Sequence, residues 1–334
     1  MQALVTPEQD VPDGRDRRHP HADVTVAVVS YRRPDGLRAL LEALSHQRTS
    51  TGAVPAVLVV DNDPHGSAAP VVRAADLDVR YLLEPRPGIS AARNAALAAV
   101  TDGALVFIDD DEEPCDSWLH DLTACWSRER VVAPIVGVVG PVVSRWEGVP
   151  LPWVAAGGFF ERRRLPTGTH VHVAATNNLL LDRRRVGGRR FDEAFGLSGG
   201  SDTLFTRALT SGGGRLIWCA EAVVTDVVPP DRLTRGWVLR RAKRSGNSHS
   251  RVELALRRGP AWFVRGRLVA AGSLRVLAGS AQRAVGVLSG SLRHRARGAR
   301  TVARGVGMVS GAVGHVVVEY RRLDEPAGRG GGPP

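Results

Sequence analysis

Val106-Phe107-Ile108-Asp109-Asp110-Asp111-Glu112-Glu113-Pro114 carries an apolar run straight into five acidic residues. The run starts at Ala104, alternates with nothing, and is bounded by Gly103 and by charge, so it reads as a short buried strand. The carboxylates then stand at the carboxyl end of a core strand, the edge where open α/β sheets bind ligands. Five adjacent carboxylates repel one another and call for a positive partner. A divalent cation held by carboxylate oxygens is the simplest one, and Mg²⁺ or Mn²⁺ suits such ligands. In extended geometry Asp109 and Asp111 point one way and Asp110 the other, so a D-x-D pair can grip an ion and a diphosphate behind it. The competing reading is an acidic helix start, because Asp116-Ser117-Trp118-Leu119 also looks like the opening of a helix.

Upstream of this strand the chain repeats strand, polar loop and helix. Val24 to Val29 is a buried strand that runs into Ser30-Tyr31-Arg32-Arg33-Pro34-Asp35, after which Leu37, Leu40, Leu41 and Leu44 recur at helical spacing. Ala56 to Val60 is a second strand, ending in Asp61-Asn62-Asp63-Pro64. A short helix near Ala68 to Ala75 leads to a third strand, Val79 to Leu83. Glu84-Pro85-Arg86-Pro87-Gly88-Ile89-Ser90 then opens a helix through Ala91 to Leu97, with Ser90 as its cap. This alternation predicts an α/β fold with a mainly parallel sheet covered on both faces. Neither a G-x-G-x-x-G nor a G-x-x-x-x-G-K-[ST] motif is present, so a dinucleotide site or a P-loop is unsupported. Three strand ends carry polar groups that should converge at one rim: Ser30-Tyr31, Asp61-Asn62 and Asp109 to Asp111. A tyrosine can stack on a base, a carboxylate can accept from a base or ribose, and Arg33 or Arg93 can face phosphate. Singly, each has a plainer reading: Tyr31 as core edge, Asp61 as a turn residue, Arg93 as a solvated helix face.

The second half is less regular. Ile135 to Val143 reads as a strand with a bend at Gly140-Pro141. Pro150 to Pro166 reads as a long loop over the site, in which Trp153 and Phe159 or Phe160 are sugar platforms or pins holding the loop to the core. Val171 to Leu181 reads as extended, with Asn177-Asn178 in mid-run. Amides in an apolar run are costly unless paired, so these either bond a ligand or close a backbone turn. Gly199-Gly200-Ser201-Asp202 leads into a helix, where Asp202 either caps it or aims a carboxylate into the cleft. Arg215 to Cys219 is a further short strand.

The 334 residues are 43% hydrophobic, enough for one large core plus an appendage. Cys115, Cys125 and Cys219 form no C-x-x-C pattern and argue for a reducing compartment rather than a zinc site or disulfide framework. The formal net charge is +11, almost all of the excess arginine, since Lys243 is the one lysine. That charge suits an anionic nucleotide, an anionic membrane surface or nucleic acid. No run is long and apolar enough for a transmembrane helix, and no signal peptide is visible.

Taken together, Val28 to Pro34, Val59 to Asn62, Gly88-Ile89-Ser90-Ala91-Ala92-Arg93-Asn94, Phe107 to Glu112 and Gly199 to Asp202 resemble the family 2 glycosyltransferases in order and spacing, over about Val24 to Val228. The stretch Arg240-Arg241-Ala242-Lys243-Arg244-Ser245-Gly246-Asn247-Ser248 resembles a segment that follows the catalytic domain in bacterial members building surface polysaccharides. The resemblance implies a GT-A fold, a nucleotide-sugar donor, a divalent metal and inversion at the anomeric carbon. It implies that Tyr31 and Asp61 contact the nucleoside with Arg93 near it, that Asp109 contacts ribose, that Asp111 holds the metal, and that Asp202 is the catalytic base. Two departures stand out. Ser201-Asp202 replaces a frequent Glu-Asp pair, and Thr225-Asp226 occupies the place where many relatives carry a metal-binding histidine, leaving Asp226 as the substitute.

Beyond Pro229 the composition shifts to Arg, Gly, Ala and Val. Helices are expected at Leu233 to Arg244, at Trp262 to Leu288 (with Leu274, Leu277, Ala281, Val285 and Leu288 on one side), and along Val302 to Val317, where glycines weaken the expectation. They pack on the catalytic domain or lie as a basic amphipathic segment on an anionic membrane. The expected organisation is a disordered tail over 1–22, a GT-A domain over 23–228, a helical extension over 229–322 that packs on the domain or associates with membrane, and a disordered tail over 323–334. The expected function is transfer of a sugar from a nucleotide-sugar to a glycan or lipid-linked acceptor, in the cytoplasm at the inner membrane face, with no nucleic acid partner. The alternatives are a sugar-nucleotide nucleotidyltransferase, which would want a glycine- and lysine-rich loop near the first strand, and a basic nucleic-acid-binding protein, which leaves the acidic rim unexplained.

Overall fold

The computed structural model describes residues 23–317; the tails expected over 1–22 and 323–334 both lie wholly outside these residues. The first four long strands are β1 (Val24–Ser30), β2 (Ala56–Asp61), β3 (Val79–Leu83) and β4 (Ala104–Asp109). They lie parallel in the order β3-β2-β1-β4, with α1 (Pro34–Ser45), α2 (Ala69–Arg73) and α3 (Ile89–Ala99) as crossovers. The interiors of β1, β2 and β4 are almost continuously buried, as a sheet covered on both faces requires, while β3 at the sheet edge is partly exposed. The leucines spaced along α1, Leu37, Leu40, Leu41 and Leu44, form its buried stripe.

After β4 the chain departs from the simple alternation. Asp110-Asp111 is a turn, and Glu112–Pro114 forms a short strand, β5. Helix α4 (Trp118–Val132) follows. The expected strand Ile135 to Val143 is two strands, β6 (Ile135–Val139) and β7 (Val142–Trp146), broken at Gly140-Pro141. A Cβ on Gly140 would lie 2.2 Å from the Ala222 carbonyl oxygen, so the bend has no room for a side chain. The long loop expected over Pro150 to Pro166 contains a helical turn, α5 (Pro152–Gly157). The extended run expected over Val171 to Leu181 is likewise divided, into β8 (His170–Val171) and β9 (Asn178–Asp182), with a turn at Thr176-Asn177. Helices α6 (Arg183–Val186) and α7 (Ser201–Ser211) precede β10 (Arg215–Trp218) and β11 (Val224–Val228). The main sheet continues beyond β4 as β9-β6-β10-β8, with β9 antiparallel to both neighbours and β10 parallel to β6. A second sheet, β5-β11-β7, hangs below the acidic turn and pairs Asp226 with Glu112.

The C-terminal region is three long helices, α8 (Arg235–Ala255), α9 (Ala261–Leu288) and α10 (Leu292–Ala312). The glycines that weakened the helical expectation are what lets them pack. Gly272, Gly279 and Gly286 recur every seventh residue on α9 and are buried, as are Gly298 and Gly305 on α10. A Cβ on Gly279 would lie 2.8 Å from the Gly298 carbonyl oxygen, and one on Gly307 would strike the Lys243 carbonyl oxygen of α8. Backbone meets backbone, so packing overrides intrinsic propensity. Leu268 packs inward with Val264 and Val269, but many of the large apolar residues of α9 face outward: Leu277 is 68% and Leu288 88% exposed, with Phe263, Leu274 and Val285 also exposed. No helix among the described residues is long and apolar enough to cross a membrane.

Candidate active site

Strand register brings the ends of β1, β2 and β4 to one edge, pairing Val29 with Asp109 and Ser30 with Asp61. Asp109 is the last residue of β4. Its backbone N–H donates to Glu112, which is itself buried and also accepts from the Asn177 side-chain amide. Burial pushes the Asp109 carboxyl up to about 6; Arg93 opposes this, while the charges of Asp111 and Asp202 add to it. Burial also raises Glu112 well above the ordinary range, with Asp109 reinforcing the shift. Asp110 turns inward, 5% exposed, accepting from the Ser30 hydroxyl at 2.8 Å and from Arg33 at 3.4 Å. Burial drives its carboxyl up to about 7 despite both donors. Asp111 faces outward and is paired with Arg33, with Arg232 at 3.8 Å. Arg33, Arg93 and Arg232 are the cations near this edge, and burial raises Asp109, Asp110 and Glu112 alike.

Asp202 enters from a different element. Gly200 adopts φ +95° at the head of α7, and its missing Cβ would lie 3.1 Å from Ser248 of α8, so this turn needs glycine twice over. Ser201 is buried and accepts from Arg93 at 3.3 Å. Asp202 sits in the first turn of α7, its Oδ1 accepting the Thr203 N–H at 2.7 Å, within electrostatic reach of Asp109. The Arg93 guanidinium also lies 5.7 Å from the Phe191 ring centroid. Asp109, Arg93, Ser201 and Asp202 thus form one group, although their sequence positions span more than a hundred residues. Tyr31 flanks the rim, with Arg32, at φ 54°, 5.3 Å over its ring.

Three residues expected at the site have their side chains engaged within the protein. Asp61 is 0% exposed; its carboxylate accepts from the N–H groups of Asp63 (3.0 Å) and Ala68 (2.7 Å) and from the Tyr81 hydroxyl (3.1 Å). It braces the loop after β2, and a nucleoside would reach it only if those bonds opened. Asn178 is buried with both amide hydrogens committed, to the Pro141 and Ala222 carbonyls, while its oxygen accepts from Trp118 Nε1. It fastens β9 to the break between β6 and β7 and has no donor left for a ligand. Asn177 bonds Glu112 rather than an open cleft. Trp153 stands apart from the acidic turn, whereas Asp226 lies beside it as the strand partner of Glu112. Trp153 stacks on Phe159 at 5.2 Å beneath Arg235, among the aromatics that hold α5 to α8. Asp226 is ion-paired with Arg162. Glu112, Arg162 and Arg232 were missed as site residues in the sequence; only Glu112, inside the acidic run, carried a visible signal, and Ser201 was marked only as part of the Gly199 to Asp202 motif.

An α/β sheet with a D-x-D turn at its carboxyl edge and a facing helix-borne carboxylate defines a glycosyltransferase of GT-A fold. A mannosyltransferase from Pyrobaculum calidifontis, solved in complex with GDP-Man and Mn²⁺, shares that fold with a TM-score of 0.53 at 18% identity, over 85% of this chain and 86% of its own. The profile of glycosyl transferase family 2 matches residues 25–185. The chain is 32% identical over 235 residues to the succinoglycan biosynthesis protein ExoM of Rhizobium meliloti (strain 1021), covering 69% of this chain and 74% of that protein. It is also 32% identical over 243 residues to the pre-mycofactocin glycosyltransferase of Mycobacterium tuberculosis (strain ATCC 25618 / H37Rv), of whose length it spans 47%. The chain belongs to glycosyltransferase family 2.

Proposed function

We propose that this enzyme moves a sugar from a nucleotide-sugar donor to a hydroxyl of a glycan or lipid-linked acceptor, with inversion at the anomeric carbon. The observation that carries the reading is the opposition of two carboxylate sources, the β4 turn and the first turn of α7, within one electrostatic group. In this reading Asp109 and Tyr31 hold the nucleoside, and Arg93 and Arg33 face its phosphates. Asp111 supplies a metal ligand, with Asp226 available only if its pair with Arg162 opens. The donor set fits Mg²⁺ or Mn²⁺ in kind, since carboxylate oxygens are hard ligands, although no group of three or more candidate ligand side chains is found among the described residues. That pattern suits an ion held by one or two carboxylates plus diphosphate oxygens and water. Such an ion, when bound, would neutralise charge on the departing diphosphate.

Asp202 is the proposed base. An acceptor hydroxyl is a weak nucleophile near neutral pH, and in-line displacement requires its proton to leave on the face away from the diphosphate. Asp202 comes from α7, whereas the diphosphate side belongs to β4. Residues 23–228 form the proposed catalytic unit, and 229–322 an extension whose basic helices and outward apolar face on α9 support attachment to an anionic membrane surface. The test is Asp202→Asn: turnover should fall by about 10² to 10⁴ with donor affinity little changed. Loss of donor binding would make Asp202 a ligand instead, and unchanged turnover would make it a helix cap.

A further inference from the structure

A cavity of about 210 Å³ lies where the segment after α5 meets α8 and α10. Arg162, Arg241, Arg300 and Arg304 line it, with Phe159 and Trp237 closing its sides and Glu161 as its acid. Glu161 is exposed and turned toward Arg297 at 3.8 Å, and the acid nearest Arg162 is Asp226. Arg162 Nε is buried without a hydrogen-bond partner. Burial pushes Arg241 down to about 10, and Arg162, Arg244 and Arg232 push the same way against Asp226 alone. Four guanidinium groups thus face one small space with too little negative charge to balance them. At roughly 30 Å³ per liquid water, the space suits a phosphate or diphosphate. It is short of the ~300 Å³ at which sites for whole drug-sized ligands begin.

Two contacts place this cavity beside the acidic edge. Arg162 on its wall pairs with Asp226, whose strand partner is Glu112. Arg232 lies 3.8 Å from Asp111 and 6.0 Å from the centroid of Trp237, a cavity wall. On the other side, Arg300 and Arg304 also line a groove of about 360 Å³ between α9 and α10, with Arg275 and Arg297. The same α9 carries the exposed apolar face. A cationic track therefore runs from the acidic edge to a helix that is apolar on its outside.

We propose that the arginine cavity binds the phosphate or diphosphate of a lipid-linked acceptor, holding its sugar toward the acidic edge and its hydrocarbon chain toward α9. This deepens the proposed function and rests on it. Guanidinium forks match phosphate oxygens two at a time, and the cavity is separate from Asp109 to Asp111, where the donor diphosphate belongs.

The test uses the full chain in EDTA, which silences a metal-dependent donor site, and titrates inorganic pyrophosphate and farnesyl diphosphate by calorimetry. Both should bind, farnesyl diphosphate at least as tightly. Arg304→Gln and Arg241→Gln should each weaken binding by about tenfold, while Arg241→Lys retains part of it. Nucleoside diphosphate affinity with Mn²⁺ should stay unchanged in the Arg304→Gln protein, whose exposed site tolerates substitution. Absence of pyrophosphate binding, or equal binding by the variants, overturns the proposal. Parallel loss of nucleoside diphosphate affinity assigns the cavity to the donor, and binding to phosphatidylglycerol vesicles without binding to farnesyl diphosphate assigns it to lipid headgroups; either also overturns it. Donor hydrolysis, measured alongside, separates the two levels. A hydrolysing enzyme that ignores pyrophosphate loses only this inference, whereas a protein inert toward every nucleotide-sugar loses the function itself.

Discussion

Asp110→Asn isolates the electrostatic tension at the acidic turn. In the folded protein burial lifts this carboxyl from the ordinary 3.8 to about 7, even though Ser30 and Arg33 both donate to it. A raised folded value means that the stability tied to this proton is complete below the ordinary carboxylate range and is lost as pH climbs through about 7. Between pH 5 and pH 8 the loss from this group comes to about 2 to 3 kcal/mol. Asparagine does not titrate, so the variant should shed that portion of the pH dependence. At pH 5 it should be slightly weaker than the parent, by about 1 kcal/mol for a lost hydrogen bond; at pH 8 it should be the more stable protein. Asp109 and Glu112 are raised in the same direction, so a reduced slope should persist in the variant. Urea denaturation in EDTA, followed by tryptophan fluorescence at several pH values, reads this directly, because the unfolding midpoint reports stability at fixed m. Parallel pH profiles for parent and variant would refute the claim that Asp110 is held protonated by burial.

The helical extension offers two opposed glycine substitutions. Gly307→Val drives a side chain into the Lys243 carbonyl and should cost about 3 kcal/mol or more, beyond ordinary overpacking, read as a lowered urea midpoint and faster proteolysis near α10. Gly266→Ala, on the open side of α9 with nothing within 4 Å, should stabilise by up to about 1 kcal/mol; equal effects from both would contradict the packing described.

The parallel half of the sheet and the acidic turn were legible because their signals are local: apolar runs of strand length, glycine and proline punctuation, and charge packed into a few residues. The helix start at Ser201-Asp202 was legible for the same reason, following Gly199-Gly200. What escaped is long-range. The sheet β5-β11-β7 joins Glu112 to Asp226 across more than a hundred residues, and nothing near Glu112 announces a strand. Asp61 sits at a strand end like a ligand-binding residue, yet the Ala68 N–H seven residues on and the Tyr81 hydroxyl of the next strand claim its oxygens. Asn178 hid its role because its partners Trp118, Pro141 and Ala222 come from three other elements. In the C-terminal helices, glycine counted against helix locally and was required for it globally, since only backbone contact between α8, α9 and α10 rewards its presence.

The central claim is that the acidic edge is a metal-dependent donor site. The most direct measurement is hydrolysis of a panel of nucleotide-sugars by the full chain with Mn²⁺, with excess EDTA, and with Asp111→Asn. The account predicts release of nucleotide from at least one donor, abolished by EDTA and by Asp111→Asn while the variant keeps the parent's melting behaviour. Undiminished hydrolysis in EDTA, or by Asp111→Asn with Mn²⁺ present, would contradict it.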